Sequence, residues 1–312
     1  MIAFAARRLV AAIPTLLAVL TLVFVIVRVI PGDPAYALLG DQATPAAVAA
    51  LHTRLGLDYP LWQQYLIFMG RCLTGDFGTS MATGEPIIER IGAALLPTIE
   101  LTLAAMVVGV AVGLPVGIAS ALHRNRTIDI GARLLSLIGL SFPVFVSGIF
   151  LLLVFAVRWP LFPVIGDLHS GDPVGNLHKL VLPALTLGLV MAAYVVRVTR
   201  SAMLHVLGED YIRTARAKGV PRRQVVWRHG LRNAALPVVT VVGLYVGLLL
   251  GNSALTEIVF NRQGLGSVIV GALNARDYTM LQGLLVVYCF LIVVVNLLTD
   301  ILYGVVDPRV QT

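Results

Sequence analysis

His52, His123, His169, His178, His205 and His229, together with Cys72 and Cys289, are the side chains with which this chain could bind a metal or run redox chemistry. No two histidines fall at metal-binding spacing, and neither HExxH nor CxxC occurs. The serines, Ser147 beside Gly148 among them, sit in no nucleophile elbow. A phosphate-binding GxxxxGK[ST] loop is absent, and the only lysines are Lys179 and Lys218. No cluster of reactive groups gathers at one depth, so an enzyme is not expected. What stands out is a basic stretch, Asp210-Tyr211-Ile212-Arg213-Thr214-Ala215-Arg216-Ala217-Lys218-Gly219-Val220-Pro221-Arg222-Arg223-Gln224-Val225-Val226-Trp227, running on to Leu236-Pro237. Its chemistry is charge and docking.

The elements that must position this stretch are apolar. The chain is 58% hydrophobic and 12% charged, against about 25% charged residues in a soluble domain. A bilayer-spanning helix takes about 20 apolar residues. Six such segments are expected, at 9–30, 98–122, 133–157, 180–201, 234–256 and 284–305. The first is too long for a signal-peptide core and no small-residue cleavage site follows, so it reads as a retained helix. The two cysteines fall in a loop and in mid-span and are not expected to form a disulfide.

Orientation follows from the basic residues. Arg7 and Arg8, then Arg124, Arg126 and Arg133, then Arg197 through Arg232, and finally Arg309 lie on one side. Residues 31–97 carry Asp33, Asp41, Asp58, Asp76, Glu85 and Glu89 against only Arg54, Arg71 and Arg90. Both termini and the 202–232 loop are therefore expected in the cytoplasm, with 31–97, 158–179 and 257–283 outside. The net charge of +7 is scattered among short loops, which is topology and not a nucleic-acid face.

The outer segment predicts a short helix at 46–55 behind Thr44-Pro45, and an amphipathic helix over 61–73. That second helix either lies along the membrane surface or caps the bundle. Gly75-Asp76-Phe77-Gly78 reads as a turn.

Two spans carry small-residue ladders: Gly109, Gly113 and Gly117, and Gly243, Gly247 and Gly251. Residues four apart share a helix face, so each ladder admits a close neighbour, as static packing or as a contact that slides along a pathway. Pro115, Pro143, Pro183 and Pro237 predict bends. The spans hold no chain of carboxylates of the kind a proton-driven carrier uses.

Within the basic stretch, Glu209 and Asp210 open a helix, Gly219 supplies a tight turn, and Pro221 begins a second, short amphipathic helix. Such a loop rests on anionic lipid or docks a soluble partner. It resembles the cytoplasmic coupling loop of type I ABC importer permeases. The family's Glu-Ala-Ala, three residues, Gly pattern falls on Arg213-Thr214-Ala215 through Gly219, and its closing Leu-Pro on Leu236-Pro237. Arg213 departs from the acidic consensus, and Gly219 to Leu236 is longer than in sugar permeases.

Both departures resemble the dipeptide and oligopeptide branch, B-type subunit. Ile30-Pro31-Gly32-Asp33-Pro34, Leu55-Gly56-Leu57-Asp58-Tyr59-Pro60-Leu61, Gln64-Tyr65, Gly75-Asp76-Phe77-Gly78, Gly264-Leu265-Gly266, Arg276-Asp277-Tyr278 and Asp307-Pro308-Arg309 also resemble that family's motifs, in order. The resemblance implies an all-α polytopic membrane helix bundle. It implies division into 1–97, a permease domain over 98–305 holding the 202–232 loop, and a tail from 306. Asp210, Arg213, Ala215, Lys218, Gly219, Arg222, Arg223 and Trp227 would couple to the ATPase. It further implies a second permease, two ATPase subunits that bind ATP and magnesium, and an extracytoplasmic binding protein, this chain holding no cofactor itself. The cargo implied is peptide, with nickel, glutathione or haem as alternatives within the class. A stand-alone channel or secondary carrier is the competing class.

Overall fold

The computed structural model describes residues 2–29, 33–39, 43–164 and 173–306. The Pro31-Gly32 and Asp307-Pro308-Arg309 motifs lie outside them. Thirteen α-helices are named below in chain order, and no strand occurs among the described residues beyond an isolated bridge between Thr79 and Pro86. They are α1 Ile2–Val29, α2 Pro34–Leu39, α3 Pro45–Leu55, α4 Leu61–Thr74, α5 Ile87–Leu122, α6 Thr127–Ser141, α7 Val144–Leu152, α8 Pro173–Gly208, α9 Asp210–Ala217, α10 Arg222–Gln224, α11 Arg232–Val259, α12 Leu265–Asn274 and α13 Tyr278–Val306.

Five helical segments are long and apolar enough to cross a membrane, and a sixth span results if the bent pair α6 and α7 counts as one. The third span, expected as one helix over 133–157, is thus two helices meeting at 102°. Phe142 precedes a proline and is held extended at φ −97° and ψ 140°, as the ring of the next residue demands. Pro143 then opens α7, its carbonyl accepting from Val146 N and Ser147 N at 3.0 and 3.3 Å. The proline breaks this span, whereas Pro183 and Pro237 lie inside continuous helices. Helix α5 starts eleven residues before the expected boundary at 98, with Glu89 in its first turn and Pro97 inside it. An apolar window finds only the part of a helix that needs hydrocarbon, so helices that run past the membrane are read short.

The chain divides into two compact units. One comprises 99–262 with the two chain ends. Its α8 is flanked by α6, α7 and α11 and by α5, and Leu101, Ala105, Leu187, Met191, Val195, Val238 and Leu249 form a continuous buried cluster. The other comprises 6–98 and 263–294. It is built around Ile87, Ile91, Ala94, Leu265, Ala272, Met280, Leu281 and Leu284.

In this second unit, Thr44 caps α3 by accepting from Ala47 N at 3.3 Å, and Gly56 ends it at φ 70°. The 75–78 turn forms as expected, with Gly75 and Gly78 at φ 70° and 73°. Helix α4 packs Tyr65 and Phe68 against Phe24 of α1, while Leu61, Trp62, Leu66 and Leu73 stay exposed. One face of α4 is thus a cap on the bundle. Asp277, buried ahead of α13, accepts hydrogen bonds from the Ser80 hydroxyl and from Met81 N, Ala82 N and Met280 N. One carboxylate thereby fastens the 79–86 loop and caps a helix.

Cys72 lies on α4, not in a loop, and it borders the same apolar cluster as Cys289; both are free thiols. Burial pushes the Cys72 thiol up to about 11. The thiolate is the reactive form, so about one molecule in ten thousand carries it at pH 7. Iodoacetamide at pH 7 should therefore label Cys72 far more slowly than free cysteine, and labelling at the free-thiol rate would contradict its burial.

Candidate functional site

The basic stretch opens with an exposed helix, α9, that buries one side chain, Ile212. Helix α8 ends at Gly208, and Glu209 turns extended at φ −66° and ψ 150°. Its carbonyl accepts from Ile212 N and Arg213 N at 3.1 and 3.3 Å, which starts α9. Ile212 is fully buried. Asp210, Arg213, Arg216 and Lys218 are exposed and Ala215 is half-buried. Arg213 reaches Asp210 at 3.2 Å, and His205 lies 3.4 Å from Glu209, both at the surface.

Gly219 closes α9 with a doubly bonded turn. Gly219 N donates to the Arg216 carbonyl at 3.0 Å and Val220 N to that of Ala215 at 3.1 Å. This pairing needs a left-handed residue between the helix and Val220, and Gly219 stands at φ 79°. Nothing lies within 4 Å of where a Cβ would point. A side chain here is opposed by backbone conformation and not by lack of room.

Beyond the turn, the expected short amphipathic helix does not exist as a separate element. Pro221 leads into α10, which continues through a π-helical segment, Val225–Leu231, directly into α11. No proline or left-handed glycine interrupts 222–236, so the helix has no reason to stop. The wider turn rotates the chain. Val225 and Val226 are 1% and 6% exposed, and Val226 joins a core cluster with Ile118, Ala121, Met203, Val206 and Ala234. Trp227 is 56% exposed. The apolar trio is therefore divided, with Arg222, Arg223 and Trp227 outward. The Asn233 amide donates to Tyr211 Oη at 2.7 Å and ties α9 to the start of α11.

The strongest polar anchor in this unit was not visible in the sequence. Asp129, in the first turn of α6, is fully buried. It accepts from Arg200 Nε and Nη2 at 2.6 and 2.8 Å, from Ser120 Oγ at 2.6 Å and from Asn125 N at 2.8 Å. A bidentate guanidinium-carboxylate pair fixes orientation as well as distance. One side chain so joins α5, α6 and α8 beneath the helix that carries α9. The available signal was a lone acid in a loop otherwise basic, among His123, Arg124, Arg126 and Arg133. A second anchor joins Arg262, 2% exposed, to Glu100 at 2.7 Å.

The two glycine ladders differ. A Cβ on Gly109, Gly113 or Gly117 would lie 2.7, 2.6 and 2.6 Å from Met191, Val195 and Thr199 respectively. The partners are also four apart and ascend together, so α5 and α8 run parallel in one-turn register. Gly188 answers from α8, where a Cβ would meet Val108 at 2.7 Å. In α11, Gly243 and Gly247 face Thr299 and Asn296 of α13, whereas Gly251 has nothing within 4 Å. Gly113→Ala should then cost about 1–3 kcal/mol, because its methyl would press on the Ala192 carbonyl 2.9 Å away. Gly251→Ala should be neutral or stabilising by up to about 1 kcal/mol from helix propensity. Unfolding of the two purified variants in one detergent measures the contrast, and equal stability would refute the packing.

The fold is a set of apolar spans with an exposed basic helix, α9, at the end of α8. The chain belongs to the binding-protein-dependent transport system inner membrane component family. Residues 113–312 match that family, and residues 1–102 match its N-terminal companion. It is a multi-pass inner-membrane protein.

It is 42% identical to the dipeptide transport system permease protein DppB of Escherichia coli, over 100% of this chain and 99% of that one. It is 41% identical to the glutathione transport system permease protein GsiC of Salmonella choleraesuis, again over 100% and 99%. Among solved structures, the MetNI methionine ABC transporter in an inward-facing form shares the fold at TM-score 0.57 and 20% identity, covering 72% of this chain and 99% of that one. Both relatives are named as permease proteins of transport systems.

Proposed function

We propose that this chain is one of two permeases that form the translocation pathway of an ATP-driven importer for dipeptides and short oligopeptides. The observation that carries this reading is the end-to-end match to a dipeptide permease at 42% identity. The geometry supports it: α9 offers charge and a fixed turn but no chemistry of its own, so a partner must supply the energy.

In this reading two ATPase subunits hold ATP and magnesium and dock against Asp210, Arg213, Ala215, Lys218, Gly219, Arg222, Arg223 and Trp227. An extracytoplasmic binding protein delivers cargo, and membrane lipid surrounds the spans. Both chain ends and the 202–232 loop face the cytoplasm. Residues 1–97 form the first helix with its outer segment, 98–305 the permease proper, and the remainder a tail. Gly109, Gly113, Gly117, Gly243, Gly247 and Gly251 set the helix contacts that change when the pathway alternates. Family membership speaks against the channel and the self-powered carrier. Glutathione is a second reading, favoured by the 41% match to a glutathione permease.

The test is purification of the tagged chain from its own host, followed by uptake in proteoliposomes. Two ATPase subunits and a second permease should copurify, and ATP should drive entry of labelled dialanine. Preference for glutathione would transfer the assignment to the second reading. Uptake by the chain alone, without ATP, would refute both.

A further inference from the structure

We infer that the second unit contains a binding site for a small anion, carboxylate or phosphate in chemistry, in a cavity lined by Arg28, Arg54, Arg71 and Gln282. The cavity has a volume of about 410 Å³ and is bounded by the end of α1, the end of α3, α4, the 76–81 loop and the start of α13, a size that suits a small ligand. The charged side chains of its wall are three guanidiniums, Arg28, Arg54 and Arg71, and one carboxylate, Asp76. The Nε2 of Gln282 is buried and has no hydrogen-bond partner. Arg54 and Arg71 form no ion pair among the described residues. Arg28 donates its Nε to Gln64 Oε1 at 2.9 Å and lies over the Phe24 ring, 5.2 Å from its centroid. Gln64, itself 8% exposed, is spent on that bond and on the Leu57 and Tyr59 carbonyls at 3.1 and 2.8 Å. It therefore holds the guanidinium in place and leaves its other nitrogens for a guest. Asp76 Oδ1 already accepts from Gly78 N at 3.0 Å.

Three guanidiniums face one carboxylate. A buried amide donor without an acceptor is destabilising unless something fills it. Both facts ask for the same guest, one carrying negative charge and several acceptor oxygens. A free small anion and the headgroup of an anionic phospholipid share this chemistry. The site is independent of which cargo the importer carries.

Thermal unfolding of the full-length chain in phosphatidylcholine nanodiscs tests it, with three separate additions: 10 mM inorganic phosphate, 10 mM dialanine, or replacement of a third of the lipid by phosphatidylglycerol. A ligand well above its Kd raises the unfolding temperature by about 3 °C in a protein of this size. The rise should vanish in Arg54→Gln/Arg71→Gln and in Gln282→Leu, and persist in Arg90→Gln, which removes a guanidinium outside the cavity wall. Gln282→Leu without any anion should be no less stable than the parent, since it deletes the orphaned donor. A rise with phosphate or dialanine assigns a free anion, and a rise only with phosphatidylglycerol assigns a lipid headgroup. No rise in any arm, or a rise undiminished in the cavity variants, overturns the site.

Discussion

Asp129→Asn destabilises this protein by about 3 kcal/mol or more, the cost of leaving a largely buried cation without its counter-charge. The carboxylate is fully buried and receives four hydrogen bonds from three directions. Asparagine keeps the shape but loses the charge and one acceptor, so the Arg200 guanidinium is stranded. The double variant Asp129→Leu/Arg200→Met should recover much of the loss, because replacing both members of a buried pair by apolar residues is often neutral. Chemical unfolding of the detergent-solubilised protein measures both. If the single variant is as stable as the parent, the anchor between α5, α6 and α8 does not exist as described.

Gly219→Val acts differently, on transport rather than on folding. The site is open, with no atom within 4 Å of a Cβ, so nothing in the core is disturbed. The left-handed backbone at φ 79° is another matter. A β-branched residue there costs about 1–2 kcal/mol, and the turn relieves that strain by giving up the hydrogen bonds to Arg216 and Ala215. Helix α9 buries Ile212 and is tied to the next helix through Tyr211, which meets Asn233 and the His229 carbonyl, so it shifts. Peptide uptake by the assembled transporter should fall more than tenfold while the unfolding temperature drops by no more than about 4 °C, the shift that about 1–2 kcal/mol gives in a protein of this size. Gly219→Asn should retain most uptake, since asparagine tolerates this conformation. Normal uptake with normally stimulated ATP hydrolysis in Gly219→Val would remove α9 from the proposed coupling role.

These two residues also mark what a reader of the sequence can and cannot find. Gly219 was legible because its constraint is local: a run of helix formers, then a glycine, then a proline encode the turn within a few residues. Asp129 was not, because its partner Arg200 is 71 positions away, and no short-range pattern distinguishes that arginine from its neighbours. The glycine ladders fall between. Their spacing announced a close contact, but only the neighbouring helix says which glycine needs it. Gly113 presses on a carbonyl of α8 while Gly251, identical in pattern, faces open space.

The sequence by itself determined the apolar spans, the absence of a phosphate loop, the Gly219 turn and the likeness to a transporter family. All of these depend on composition or on contacts within one or two helical turns. Only the tertiary structure decided that the third span is broken at Phe142-Pro143, that the helix after Pro221 runs unbroken into α11, and that Val225 and Val226 turn inward while Trp227 turns out. Each depends on which distant surface a residue meets. The carboxylate of Asp129 and the donors around Gln282 belong there too, because a buried polar group is defined by the partners that reach it and those that do not.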